Sequence, residues 1–315
     1  METKEFIAYM ESKNHAKRTQ EEYLKLVEKF LKWYKMDEIN CTKKDVLDYL
    51  AYLKNHTKQQ NATRNNNLIA LNHYFAFLYQ SGQIIENPCA FLKIRGTNKK
   101  KLHKIYTSDE LDGIFDNYYL LFVRNYDDSR YRHEKQRQYS ILYRERNAII
   151  TSILFNQGTT TKELQNIELD DLDLIKATLK IQSGKRGNSR TLPLKSTQVG
   201  LFLNYLQTIR PKLLEYQTIE NNKLFLALPT VSYKKTKKEI TANVFSYLAR
   251  QIKTIDKQFT NFGQIRSSVI SFWIKTHGLR KAQYLAGHRN ISTTEGYLLN
   301  NLDDLTDDIN KLHPF

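Results

Sequence analysis

Apolar residues in the first 95 positions recur at three- and four-residue intervals, and this spacing predicts short amphipathic helices. Thr19 and Glu22 form a capping box ahead of Tyr23, Leu24, Leu26, Val27, Phe30, Leu31 and Tyr34. Thr42 caps a second helix carrying Val46, Leu47, Leu50 and Leu53, and Asn61 opens a third, with Leu68, Leu71, Phe75 and Leu78, that stops at Ser81-Gly82. These stripes are core and carry no chemistry. They make residues 1–95 a small helical domain. Residues 96–106 interrupt the apolar pattern with glycine, polar residues and lysines and read as a basic linker.

From 107 to 315 the pattern builds a second, larger domain. Ser108 caps a helix through Leu111 and Phe115, a polar stretch from Asp127 to Gln138 reads as a surface insertion, and a helix follows from Arg144 to Gln157. The period then shortens to two. Thr178 to Gln182 and Arg190 to Leu194, with Leu179 and Ile181 alternating, predict a half-buried hairpin around SGKRGNS, with Lys185 at its tip or just before it. Beyond it come a helix from Thr197 to Ile209, a strand from Lys223 to Leu228, the basic run Lys234 to Lys238, and a helix capped by Thr241. The chain is helical again from Phe262, with breaks at Gly278 and around His288-Arg289-Asn290. The whole is mainly α with a small β-hairpin or sheet.

Charge narrows the class of partner. Forty-nine Lys and Arg against 33 Asp and Glu give a formal net charge of +16, spread from Lys4 to Lys311. Such a field attracts polyanions, although solubility and anionic membranes use the same charge. Cys41 and Cys89 lack C-x-x-C spacing, so neither a disulfide framework nor a zinc site is expected, and a reducing cytoplasm fits. The charged N-terminal stretch and the lack of an uncharged apolar run of membrane length predict neither a signal peptide nor a membrane span. There is no P-loop and no acidic cluster of the two-metal kind, so neither cofactor nor metal is expected.

The stretch richest in chemistry is LAGHRNISTTEGY, which places His288 nine residues before Tyr297. Arg266, in GQIRSSVISFWI, lies 22 residues before His288. With Lys185 in SGKRGNSRTLPL and the segment QGTTTKEL, Gln157 to Leu164, the pattern resembles the tyrosine recombinase, or phage integrase, family and its bacterial Xer-like single-chain members. The resemblance covers nearly the whole chain. It implies an N-terminal helical core-binding domain of the SAM-like kind and an α+β tyrosine recombinase catalytic domain, closing as a clamp on double-stranded DNA. It implies a catalytic set of Tyr297 as nucleophile, Arg266 and His288 on the phosphate, and Lys185 protonating the leaving 5′ oxygen. It further implies a homotetramer on DNA, with residues 302–315 docking on a neighbouring subunit, the possible help of accessory DNA-bending proteins, and a mobile genetic element as the source.

Two positions depart from the family pattern. The histidine expected three residues before Arg266 is Gly263, and the arginine expected in the QGTTTKEL segment is Thr160, although Gly158, Glu163 and Leu164 match. Losing a preorganised donor at a transition-state oxyanion costs about 100- to 1000-fold in rate. Arg186, Arg190, Arg144 and Arg146 are the candidates to compensate or to contact DNA, and Glu163 is expected to orient its neighbours. The alternative to an active recombinase is a catalytically impaired relative that binds DNA and regulates or assists recombination. A helical interaction scaffold with incidental charge is a third reading.

Overall fold

The structure is a computed structural model that describes residues 3–96, 104–129, 131–184, 187–218, 222–228 and 242–298. The chain divides into two compact units, Met1–Lys101 and Leu102–Phe315. Lys185, Arg186, most of the basic linker, the run Lys234 to Lys238, Thr241 and the segment 302–315 lie outside the described residues.

The first unit is built on four helices, α1 (Thr3–Ser12), α2 (Lys17–Tyr34), α3 (Lys43–Asn55) and α4 (Asn61–Gln80). Their apolar stripes meet in one aromatic-rich core. Phe30 packs edge-on against Tyr49 and Phe75, and Phe6 packs edge-on against Tyr74, with all five rings fully buried. Offset and edge-on pairs of this kind add to simple area burial. The α2 start differs from the sequence expectation. It begins at Lys17 after Ala16, whose side chain makes no capping bond, so Thr19 lies inside the helix. Thr42 does cap α3, in a reciprocal box with Asp45. At the end of α4 Ser81 is the C-cap, and Gly82 adopts a left-handed φ of 73°.

The second unit packs around α6 (Glu134–Asn156). From Asn147 to Phe155 every residue of this helix is buried, as expected of a helix enclosed on all sides. It starts ten residues before the expected Arg144 because nothing in EKQRQYSILY breaks a helix. Ahead of it, α5 (Ser108–Tyr119) is capped by Thr107 rather than Ser108, in a box with Glu110. After it come α7 (Thr161–Asn166), then the strands β1 (Leu172–Asp173), β2 (Thr178–Ile181) and β3 (Arg190–Pro193) in one antiparallel sheet of order β1-β2-β3. The hairpin was legible in the sequence. The two-residue β1 was not.

Four further helical pieces complete the unit: α8 (Ser196–Asn204), α9 (Arg210–Leu214), α10 (Ala242–Ile255) and α11 (Phe262–Ala286), followed by the short α12 (Ile291–Glu295). A π-helical turn at Tyr205–Ile209 joins α8 to α9. Gly278 interrupts α11 with φ 76° and ψ 168°, at the break that the sequence marks. The expected strand from Lys223 to Leu228 is absent. Isolated bridges form at Lys223, to Glu168, and at Leu226, while the Leu224, Leu226 and Ala227 carbonyls accept from Tyr205, Arg146 and Gln217 side chains. Side-chain donors have taken the place of a neighbouring strand, which an apolar run cannot reveal.

The first unit's core generates one prediction. Phe30→Ala removes a ring in contact with four aromatic neighbours and should destabilise the protein by about 3–5 kcal/mol. Chemical denaturation followed by circular dichroism measures it, and a loss below about 1 kcal/mol would contradict this packing.

Candidate active site

Three pieces of backbone converge to build the site: the turn from α6 into α7, the returning strand β3, and the segment from α11 to α12. The turn is fixed by Gly158, whose φ is 53° and where an added Cβ would lie 3.0 Å from the Val269 side chain on α11. Gln157 anchors the same turn by donating to the Pro193 carbonyl and to Gln198, both at 2.9 Å. Thr160 then caps α7. Its hydroxyl accepts from the Glu163 N–H at 3.1 Å and donates to the Glu163 carboxylate at 3.0 Å, while its own N–H donates to that carboxylate at 2.8 Å. The hydroxyl standing where the family pattern has an arginine is therefore engaged in holding Glu163.

Glu163 is the hub. One carboxylate oxygen accepts from Arg190 at 2.5 Å, and the other lies 3.8 Å from the Arg266 guanidinium. Burial pushes this carboxyl up, but the Arg190 hydrogen bond and charge, the Thr160 N–H and the Arg266 charge together hold it below the usual glutamate range. Arg190 is fully enclosed, with its Nε donating to the Leu285 carbonyl at 2.9 Å. It reaches that place because alternation along β3 turns Arg190 and Leu192 inward, and because Gly287 opposite has no side chain. A Cβ at Gly287, where φ is 69°, would lie 2.6 Å from the Arg190 guanidinium and 2.8 Å from the Asn188 carbonyl. The Asn188 N–H donates to the Gly287 carbonyl at 3.0 Å, and Gly187 forms a β-bridge with His288. The returning arm, at Gly187 and Asn188, thus runs beside His288.

Arg266, on α11, donates to the Gly158 carbonyl at 2.5 Å and to the Ala286 carbonyl at 2.7 Å, with His288 Nε2 at 3.3 Å from the same guanidinium. His288 Nδ1 lies 2.9 Å from the Thr294 hydroxyl. The Tyr297 ring stacks on the imidazole, with centroids 5.6 Å apart and planes 13° from parallel. Burial lowers the basicity of Arg266, and Glu163 works in the opposite direction, with Tyr297 adding its support. His288 is pushed down to about 4 by burial and by the Arg266 and Arg190 charges, so it is neutral across the neutral pH range.

The structure thus brings together Arg266, His288, Tyr297, Glu163, Arg190 and Thr160. It does not bring Arg144 or Arg146 to them. Arg144 grips Asp128 with two bonds, of 2.8 and 3.0 Å, and lies 3.9 Å over the Tyr126 ring. Arg146 is enclosed within the core, donating to the Leu226 carbonyl at 2.7 Å and to Asn147. Both are 4% exposed and are held by these partners, away from Arg266, His288 and Tyr297. Arg190 stands among the site residues but enclosed, where it acts through Glu163 and through its field. Gly263 has a local reason of its own, since a Cβ there would lie 2.7 Å from the Asn261 oxygen that caps α11.

Sequence reasoning missed Thr294 and Gly287. The T-T pair and the glycine of LAGH were the signals that could have found them.

The second unit has the tyrosine recombinase catalytic fold, and the first a SAM-like one. The chain belongs to the phage integrase family: the family description "Phage integrase family" matches residues 134–303, and "Phage integrase, N-terminal SAM-like domain" matches residues 3–82. A tyrosine recombinase of Thermosipho africanus is 26% identical over 293 residues, covering 91% of this chain and 90% of that protein. The tyrosine recombinase XerC of Natranaerobius thermophilus is 28% identical, covering 89% and 85%. Among solved structures, the XerH site-specific recombinase bound to a palindromic difH substrate matches with a TM-score of 0.68 at 18% identity, covering 96% of this chain and 82% of that one. The Tn1549 transposon integrase in complex with a circular intermediate DNA matches with a TM-score of 0.62 at 15% identity, covering 94% and 93%.

A depressed histidine makes stability pH-dependent in a defined direction. The unfolded chain binds a proton at His288 near the ordinary value, the folded one only near 4. The stabilisation is therefore complete above about pH 6.5 and is lost as pH falls toward 4. In melts across that window, His288→Gln should show a shallower decline in Tm than wild type. Parallel declines would contradict this assignment.

Proposed function

We propose that this chain is a site-specific DNA recombinase or integrase that cleaves and religates duplex DNA through a phosphotyrosyl intermediate. The observation that carries the reading is the stacking of Tyr297 on His288, itself in contact with Arg266. A phenol, an imidazole and a guanidinium are there gathered within one site of one chain. The Tyr297 oxygen attacks the scissile phosphorus, the bond from phosphorus to O5′ breaks, and the product is a 3′-phosphotyrosyl end with a free 5′ hydroxyl. The phosphodiester energy is kept in the new bond, so religation by an incoming 5′ hydroxyl needs no ATP. Arg266 supplies paired donors and positive charge to the phosphate oxygens, and His288 lies beside it. These side chains give the phosphate its cationic partner without a metal ion.

Lys185 is assigned the proton for the leaving oxygen by family resemblance. The net charge of +16 supports duplex DNA as the substrate, and the solved relatives named above were captured on DNA. Two dimers on paired sites, hence a homotetramer, fit a reaction that exchanges strands between two duplexes.

A second reading is favoured by one observation: Thr160 is committed to capping α7 and to Glu163, and Gly263 has no side chain. A chain so altered could bind DNA and assist recombination without cutting. Incubating wild type and Tyr297→Phe with nicked duplexes from the flanking genome separates the two readings. A denaturing gel should show a protein–DNA adduct with wild type and none with Tyr297→Phe. Tight binding with no adduct from either would establish the non-catalytic reading, and no salt-dependent binding would exclude both.

Position 160 gives a second expectation. Thr160→Arg should accelerate adduct formation on the order of 100-fold by restoring a phosphate donor, even though losing the cap costs about 1 kcal/mol of stability. An unchanged single-turnover rate would mean that another group already fills that role.

A further inference from the structure

Thr294 is fully buried, six residues after His288 and three before Tyr297, and it holds both. Its hydroxyl meets His288 Nδ1 at 2.9 Å, and its carbonyl accepts the Tyr297 N–H at 2.9 Å. On the far side of the imidazole, Nε2 faces Arg266 at 3.3 Å. An arginine has only donors to offer, so Nε2 is the accepting nitrogen and Nδ1–H donates to the Thr294 hydroxyl. The opposite tautomer would set two N–H groups against each other.

We infer that Thr294 is a positioning residue that holds His288 by Nδ1, in the Nδ1–H tautomer that Arg266 selects at Nε2, and, through the same residue's backbone, ties the Tyr297 phenol to the face of that imidazole. The short helix α12 then cannot carry the tyrosine away from the site without breaking the bond to His288. A hydroxyl suits this post because it accepts from Nδ1–H in the DNA-free protein and can donate to Nδ1 if Arg266 turns toward a phosphate and His288 must present Nε2–H instead. Valine has the same shape and can do neither. Serine retains both functions. The catalytic consequence rests on the strand-transfer reading above, whereas the tautomer and the link to Tyr297 do not.

The test uses the full chain labelled with 15N-histidine, with His288→Gln assigning the His288 signals among the eight histidines. Long-range 1H–15N spectra at neutral pH should show the Nδ1–H form in all three proteins, with the Nδ1 proton protected from exchange in wild type and Thr294→Ser and exchange-broadened in Thr294→Val, where it has lost its acceptor. In the same proteins, phosphotyrosyl adduct formation should fall about tenfold in Thr294→Val and stay within about threefold of wild type in Thr294→Ser. A wild-type Nε2–H signal, an Nδ1 proton as well protected in Thr294→Val as in wild type, or a Thr294→Ser that behaves like Thr294→Val would overturn the inference. If wild type forms no adduct, the strand-transfer reading fails and the spectra alone decide the role of Thr294. If Thr294→Val does not fold, the wild-type and Thr294→Ser tautomers decide it.

Discussion

The site depends on one carboxylate shared by two enclosed guanidiniums. Glu163 lies between Arg190 and Arg266, and neither arginine could stay where it is without that negative charge, because an unpaired buried cation is strongly disfavoured. Breaking such a pair by deleting one member costs about 3–5 kcal/mol, far more than its net gain over water. The arrangement therefore works as a constraint. Given Glu163, both cations are held at fixed distances from His288, and the imidazole has little choice but to remain neutral.

Much of the surrounding backbone can be understood as making room for that triad. Gly158 lets the α6–α7 turn pass close to Val269, which brings the capped α7 and its Glu163 against α11. Gly287 lets the Arg190 guanidinium and the Asn188 carbonyl approach the chain just before His288. The Gly187–His288 bridge then fixes the returning arm of the hairpin beside the imidazole. Three glycines thus join a helix turn, a strand and a helix end that together span more than a hundred residues of sequence.

The fold class was legible because its elements follow simple periodicities: the helical stripes of residues 17–80, the alternation at Leu179 and Ile181, and the breaks at Gly278 and His288 all have counterparts in the structure. Where the reading failed, the decisive partner was remote. Leu224 to Leu226 are apolar and buried like a strand, but Tyr205 and Arg146 satisfy the Leu224 and Leu226 carbonyls. Arg144 and Arg146 are basic residues near a motif in sequence, yet a helix turns them toward Asp128 and the core. His288, Arg266 and Tyr297 were found through motif spacing. Thr294 was not, because a threonine carries no chemistry of its own until the imidazole beside it is seen.

The two departures from the family pattern acquire a physical meaning in charge. With His288 neutral, Arg190 and Arg266 against Glu163 leave the cluster one positive charge, equal and opposite to that of a phosphodiester. A pentavalent phosphorane carries one further negative charge, and an arginine at position 160 would have matched it. Thr160 offers no charge, and its hydroxyl already serves the α7 cap and Glu163. On the strand-transfer reading proposed above, the cluster as built is balanced for a bound phosphodiester and one charge short for the phosphorane. Interactions that favour both states equally lower no barrier, so on that reading a further donor or cation is needed at the phosphate. On that reading the β2–β3 hairpin is the candidate source, because Gly187 forms a bridge with His288. If the chain cuts DNA as proposed, strand cleavage should depend on the hairpin more heavily here than in a site that keeps both arginines.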